Sequence, residues 1–413
     1  MPSSRKPPRP IRRERPVLRK GTLRVKRDAA SRLRAGHPWI FRDALTSRGD
    51  LPEEAGQVVT VQDPEGQFLG QGLWEPEGAV AIRLVSRNPD VPAAPELYRE
   101  RARQAVARRE AILEPGLDAY RLVNGEGDGL PGITVDRFGT HLVAHLYTLA
   151  AQPIAEEIYP LLMELTGARG IYEQQRLKPT AGEKRAPAKL MHGKGAPPDL
   201  EVHEHGRTLI VDVTAPLGVG LFPDLREARA WVARLAKGRR ILNTFSYTGA
   251  FTVHAVASGA AAVTAVDLSA KAHAWARKNL RANGLDPETS CRHVSADVIG
   301  AVARMVEDGE RYDLVVLDPP SFSRGPSGAL STARDYQHLV SQLLPLIPEG
   351  GYLLAVSNMA RMPEEEFARS VGRGALSAGR ELGILRRFPL PPDYPSPPAF
   401  SEGQYLKAYL LQA

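Results

Sequence analysis

Three aspartates close short apolar runs in the second half of the chain: Asp267 after Ala262 to Val266, Asp297 within HVSADV, and Asp318 at the end of YDLVVLD. An ionised carboxylate at the end of a buried strand only accepts hydrogen bonds, so it suits ribose hydroxyls, an amino group or the donor edge of a base. Ahead of the first aspartate, Asn243, Phe245, Ser246, Tyr247, Thr248 and Gly249 belong to a turn that follows the apolar pair Ile241 and Leu242. Gly249 lets the backbone pass close to a ligand, and the small-residue helix after it offers unpaired N–H groups to an anionic group such as a carboxylate. Asp267 lies 18 residues beyond Gly249, where it can accept bonds from both hydroxyls of an adenosine ribose. A dinucleotide fold would place G-x-G-x-x-G here. This turn has one glycine, so pyrophosphate is disfavoured, and S-adenosylmethionine (SAM), a nucleoside with an amino-acid tail, suits it better.

Asp318 leads into Pro319, Pro320, Ser321 and Phe322. The prolines stiffen that loop and remove N–H donors, leaving carbonyls to face a substrate. The elements that must hold these groups read as strand, turn, helix, strand and helix over residues 241 to 283. Ser269 caps a helix whose apolar stripe is Ala272, Trp275, Ala276 and Leu280. Such a βαβ unit binds ligands outside the carboxyl ends of its strands.

With these residues in view, LNTFSYTGAFTVHA, VDLSAKAHAWARKNLRANG and LDPPSF resemble the motifs of class I SAM-dependent methyltransferases. More narrowly, they resemble bacterial 23S rRNA base methyltransferases that carry an N-terminal PUA-like domain. GHPWIF, RLVNGEGDGLPGITVDRFG and SEGQYLKAYLL extend the likeness over almost everything from about residue 21 onward. The resemblance implies an α/β fold with a Rossmann-like seven-stranded sheet, preceded by a small PUA-like β-barrel and an α+β middle subdomain. SAM is the implied cofactor, and the implied partner is ribosomal RNA or a large ribosomal subunit precursor. The family can form homodimers. The resemblance assigns Asn243, Phe245, Ser246, Tyr247, Thr248, Gly249, Asp267 and Leu268 to the cofactor, with Asp297 at the adenine amino group. Asp224 and Arg226 would border the same site, because the family keeps an acidic and basic pair there. Asp318, Pro319, Pro320, Phe322 and Asn358 form the implied catalytic set, without a metal.

One departure bears on the methylated atom. Methylating C5 of a pyrimidine requires a thiolate that first attacks C6, and the family's cytosine-C5 members place a cysteine just after the fifth strand. This chain has Ser357 and Asn358 there, and its one cysteine, Cys291, precedes the third strand. Serine is a far poorer nucleophile without assistance. The Ser-Asn loop is similar to that of the guanine-N7 methyltransferase half of a bifunctional rRNA enzyme. Guanine N7 carries a lone pair and no proton, so it needs neither covalent activation nor a general base. The expectation is therefore N7 or another ring or amine nitrogen, with cytosine C5 as the alternative. Two readings from other classes compete: a non-catalytic rRNA-binding assembly factor and an NAD(P) dehydrogenase.

Composition sets outer bounds. The chain has 413 residues, 43% hydrophobic and 24% charged, no run near the ~20 apolar residues of a membrane span, and a start without an apolar signal core. A single cysteine excludes an intrachain disulfide and fits a reducing, cytoplasmic setting. Residues 1 to 27 hold 11 Lys or Arg against Glu14 alone, leaving 43 basic against 46 acidic residues elsewhere. Residues 1–20 read as a basic disordered tail able to neutralise RNA phosphates, 21–92 as the PUA-like domain, 93–116 as a connector helix, 117–195 as the middle subdomain with its linker, and 196–413 as the methyltransferase domain. Trp39 and Phe41, spaced by two, are expected on the inward face of the barrel. Asn124, Glu126 and Asp128 read as a structural turn, and residues 177–200 as a linker.

Overall fold

The structure, a computed structural model, describes residues 21–46, 51–177, 186–216, 218–320, 323–325, 328–330 and 332–413. The basic tail lies outside the described residues. One compact unit ends at Ala93 and a second runs from Ala94 to Ala413, with Gly36–Pro38 belonging to the second.

The first unit holds Thr22–Arg24 (β1), helix Arg27–Arg34 (α1), Trp39–Phe41 (β2), Val58–Gln62 (β3), Phe68–Trp74 (β4) and Val80–Ser86 (β5). Its strands form a five-stranded sheet in the order β1-β3-β4-β5-β2. The expected inward face of Trp39 and Phe41 is corrected: Ile40 is the buried residue, 1% exposed, and its two neighbours are half-exposed. Period two allows either phase, and the aliphatic side chain takes the core. The two rings pack edge to face 6.4 Å apart, with Arg83 over Trp39 at 5.4 Å and Arg32 over Phe41 at 5.8 Å.

The second unit opens with Pro95–Ile112 (α2), followed by Ala119–Asn124 (β6), Ile133–Phe138 (β7), His141–Leu146 (β8), Gln152–Thr166 (α3), Gly170–Gln175 (β9) and Lys189–Gly193 (β10). A second five-stranded sheet runs β10-β9-β8-β7-β6. The linker expectation is thus corrected at residues 189–193, which pair antiparallel with β9 despite their polar composition. Backbone pairing along an edge strand does not require an apolar side-chain pattern. The Asn124 to Asp128 turn is structural: Asp128 accepts both Arg109 Nη atoms at 2.7 Å and the Asn124 N–H at 2.7 Å.

A hairpin, Leu200–Glu204 (β11) with Arg207–Val211 (β12), and helix Arg226–Ala236 (α4) lead into the largest sheet. Its elements are Arg240–Thr244 (β13), Ala250–Ala257 (α5), Ala262–Asp267 (β14), Ala270–Ala282 (α6), Pro287–Ser290 (α7), Arg292–Ser295 (β15), Val298–Glu307 (α8) and Leu314–Leu317 (β16). A two-stranded hairpin, Ser323–Gly325 (β17) with Gly328–Leu330 (β18), precedes Ala333–Leu343 (α9), Tyr352–Ser357 (β19), Glu364–Ser377 (α10), Gly383–Phe388 (β20) and Lys407–Gln412 (β21). The seven strands order as β15-β14-β13-β16-β19-β21-β20, with β21 antiparallel to both neighbours. Alternation along the strands feeds two cores. Ile241, Val263, Val316 and Leu354 pack on one face with Val232 and Phe251, while Leu242, Val266, Val315 and Leu353 pack on the other with Leu339 and Phe367.

The winding direction reverses between β13 and β16, which opens a crevice at their carboxyl ends. Parallel register places Thr244 beside Val266 and Leu317, and Leu317 beside Ala355. The residues that follow each strand, Phe245, Asp318 and Asn358, therefore emerge at one edge, with Ser357 closing β19. Antiparallel register brings the start of β21 to the same edge, with Lys407 opposite Ser357.

Candidate active site

The turn after β13 is held in a conformation that non-glycine residues rarely adopt. Phe245 and Tyr247 have φ of 52° and 47°, each costing about 1 kcal/mol or more. What holds the strain is a set of bonds from β14 and α6. Ser246 N–H donates to the Val266 carbonyl at 3.0 Å, Tyr247 N–H to Asp267 Oδ2 at 2.9 Å, and Asn279 Nδ2 to the Thr248 carbonyl at 2.8 Å. Asn243 Nδ2 donates to Thr252 Oγ1 at 3.0 Å, pinning the strand end to α5, and Thr248 Oγ1 donates to the Gly220 carbonyl. The Tyr247 ring lies 5.6 Å from that of Phe222. Gly249, at φ 78°, leaves no space for a side chain, since a Cβ there would stand 2.7 Å from the Ala276 Cβ. Ser246 Oγ is buried and has no hydrogen-bond partner among the described residues.

Asp267 closes β14 beside this turn. Its Oδ1 accepts Ser269 N–H at 2.8 Å while Oδ2 accepts Tyr247 N–H. Each oxygen has a second lone pair. Behind it, His273 Nε2 reaches the carbonyls of Asp267 at 3.2 Å and Val294 at 3.1 Å, tying the ends of β14 and β15 together. Leu268, next in the chain, is 56% exposed, an apolar surface beside a carboxylate. Asp297 departs from the expectation that it closes the third strand. β15 ends at Ser295, and the Asp297 side chain caps α8 by accepting Gly300 N–H at 3.2 Å. A carboxylate at a helix start satisfies an orphan donor and complements the helix dipole.

At the other side of the crevice, Asp318 is half-buried, and its carboxyl is pushed up to about 7 by burial and by the nearby Asp224 carboxylate. Burial raises Asp224 as well, against the hydrogen bond that its Oδ2 accepts from Tyr405 OH at 2.7 Å. Asp224 Oδ1 and Tyr336 OH are buried without hydrogen-bond partners among the described residues. Pro319 is buried and Pro320 exposed, while Asn358 stands exposed just past β19. Phe322 lies outside the described residues.

Arg226 requires a correction. Its guanidinium is buried against Asp393, with Nη1 3.0 Å from Oδ2 and Nη2 2.5 Å from Oδ1. Arg229 likewise grips the buried Glu204 through two 2.6 Å bonds. Both fork-shaped groups are consumed in ion pairs that brace α4, since a buried charge without its partner is strongly destabilising. Of the acidic and basic pair, only Asp224 reaches the crevice. The sequence reading missed Tyr405, Tyr336 and Asp393. Tyr405 falls within SEGQYLKAYLL, Asp393 lies outside every motif of the sequence analysis, and no spacing rule links them to Asp224 or Arg226.

This arrangement matches known proteins over most of its length. Residues 146–411 match the S-adenosylmethionine-dependent methyltransferase family model, and residues 23–87 match a PUA-like domain. The chain belongs to the SAM-dependent methyltransferase family. A relative from Tolumonas auensis, named ribosomal RNA large subunit methyltransferase I, is 35% identical over 398 residues, covering 95% of this chain and 99% of its own. The Shewanella denitrificans protein of the same name is 33% identical over 392 residues, covering 94% and 98%. A solved methyltransferase complexed with SAH superposes with a TM-score of 0.85 at 26% identity, covering 95% of this chain and 100% of that one. A structure from Streptococcus mutans gives 0.83 at the same identity and coverage.

The site of this methyltransferase fits its cofactor on its own chemistry. A glycine cradle that a Cβ would fill, and two buried oxygens, Ser246 Oγ and Asp224 Oδ1, without partners among the described residues, are what a nucleoside with a charged amino-acid tail requires. Among the described residues no helix is long and apolar enough to cross a membrane.

Proposed function

We propose that this methyltransferase modifies a base of large-subunit ribosomal RNA at a ring nitrogen, guanine N7, in the compartment where ribosomes are assembled. The rRNA substrate rests on the relatives named ribosomal RNA large subunit methyltransferase I. The choice of nitrogen rests on one observation: β19, the neighbour of the strand that leads into Asp318, ends on the buried Ser357 and is followed by the exposed Asn358, with no thiol at either position. The lone Cys291 sits before the edge strand β15, 6% exposed, its thiol pushed up to about 12 by burial. A thiol so disfavoured as thiolate supplies no nucleophile at neutral pH.

SAM supplies an electrophilic methyl group on a sulfonium. In this reading Asp267 accepts both ribose hydroxyls, Leu268 covers one adenine face, and the strained turn from Asn243 to Gly249 holds the amino-acid tail. Ser246 Oγ donates to the tail carboxylate, and Asp224 Oδ1 accepts from its ammonium. Asp297 frames the adenine end by fixing the start of α8. Asp318 accepts from the donor edge of guanine, Asn358 donates to its carbonyl oxygen, and Pro319 and Pro320 keep the loop stiff, with Phe322 stacking on the base. As N7 gains the methyl group the ring becomes cationic and its N–H groups more acidic. The bond to Asp318 is then stronger in the transition state than in the ground state, the condition for raising the rate.

Incubation with labelled SAM and unmodified large-subunit rRNA tests the substrate class: label in the RNA is expected, and label in neither free nor ribosome-bound RNA sinks it. Cys291→Ala is expected to transfer methyl within about twofold of wild type, because the thiol has no part in nitrogen methylation. Loss of turnover with SAM affinity intact would restore the C5 reading.

A further inference from the structure

Lys407 has no part in the roles assigned so far, yet it sits where two of them meet. It is 5% exposed, opens β21, and stands opposite Ser357 in antiparallel register. Its Nζ donates to the Met359 carbonyl at 2.6 Å and to the Tyr405 carbonyl at 2.8 Å. Met359 follows Asn358 directly and turns back to donate its N–H to Ser357 Oγ at 3.4 Å. Tyr405 is the residue whose hydroxyl holds Asp224. One ammonium therefore bridges the segment that carries Asn358 and the segment that anchors Asp224.

A buried ammonium is an expensive way to close that gap. Removing it from water costs several kcal/mol, whereas Met or Leu would fill similar volume without that penalty. Burial here disfavours the charged amine and brings it down to about 8, opposed by Glu364, which accepts the Tyr409 hydroxyl at 2.8 Å on the neighbouring helix. What the ammonium alone provides is charge-assisted bonding to two carbonyls from different segments at once.

We propose that Lys407 is a positioning residue for methyl transfer, tying the Met359 and Tyr405 carbonyls together so that Asn358 and Asp224 stand correctly against base and cofactor. The proposal rests on the roles given above to Asn358 and Asp224. It requires Lys407→Met to lower kcat roughly tenfold to thirtyfold by misplacing these groups, with the KM for rRNA and the Kd for SAM within about threefold of wild type.

A second variant separates positioning from folding. Lys407→Cys, alkylated with 2-bromoethylamine and verified by mass, restores an ammonium on a side chain of nearly the same length. Because position 407 is as buried as Cys291, the alkylation is run on unfolded and then refolded protein in a Cys291→Ala background, with Cys291→Ala protein treated in the same way as the control. Recovery of kcat to at least a third of wild type is expected. A Lys407→Met enzyme within twofold of wild-type kcat would overturn the proposal, as would a loss that aminoethylation does not restore. Absence of any transfer by the wild-type protein would instead defeat the proposed function, so the two failures are distinguishable.

Discussion

Replacing Asp318 by Asn is expected to remove methyl transfer and, at the same time, to make the protein more heat-stable. Both effects follow from one feature, a carboxyl held up to about 7 by burial and by Asp224. For catalysis, an amide of the same shape cannot accept from the donor edge of a base through two anionic oxygens, nor stabilise the positive charge that builds in the ring. Losing a preorganised group of this kind costs roughly a hundredfold to a thousandfold in kcat. For stability, the folded state holds the Asp318 proton more tightly than the unfolded chain, whose aspartates ionise near 3.8. Its contribution is therefore most favourable below that value and is lost as pH rises towards about 7. Asn carries no such penalty. With solvent screening of a half-buried group, the gain at pH 8 is about 1 kcal/mol, or about 1–2 °C in Tm for a chain of this size. Calorimetry at pH 8 and at pH 5 checks it, because the difference between variant and wild type should shrink at the lower pH. An Asn variant that turns over normally, or that melts lower at pH 8, contradicts the role given to Asp318. Wild-type transfer should also rise with pH through about 7 as the carboxyl ionises.

Asp267→Ala acts at the other end of the crevice and should be read in binding. The substitution removes the acceptor proposed for two ribose hydroxyls and frees the Tyr247 and Ser269 amides that the carboxylate now holds. Hydrogen bonds to a charged group contribute about 1.5–3 kcal/mol each. Part of that is recovered by water, so SAM affinity should fall about a hundredfold, close to 2.7 kcal/mol. Isothermal titration with SAM measures this directly. Adenosine affinity should fall by a similar factor, because the loss lies at the ribose; an unchanged adenosine Kd would place Asp267 outside the nucleoside site. Asp267→Asn keeps the size and should lose less.

The parts of this site legible in the sequence are those whose chemistry is local. A strand that ends in an aspartate, a single glycine at a positive-φ turn and a proline pair each carry their reason within a few residues, and Asp267, Gly249 and Asp318 all emerge at the crevice. What could not be read are pairings across the chain. The family's acidic and basic pair implies a cofactor contact for Arg226, but Asp393, 167 residues away, takes its guanidinium. Lys407 and Tyr405 fall within SEGQYLKAYLL, where period-two alternation gives the face a side chain occupies but not the loop it meets. The inward phase expected of Trp39 and Phe41 fails for a related reason: alternation fixes the period, and the core chooses which half of it to bury. β10 was hidden because an edge strand can be held by backbone bonds alone.

The atom that receives the methyl group distinguishes nitrogen from carbon methylation. Wild-type protein incubated with labelled SAM and unmodified large-subunit rRNA, followed by digestion to nucleosides and mass identification, decides it. The expected product is 7-methylguanosine, formed equally well by the Cys291→Ala variant. Finding 5-methylcytidine would contradict it, because that product requires a nucleophile that neither Ser357, Asn358 nor the buried Cys291 supplies.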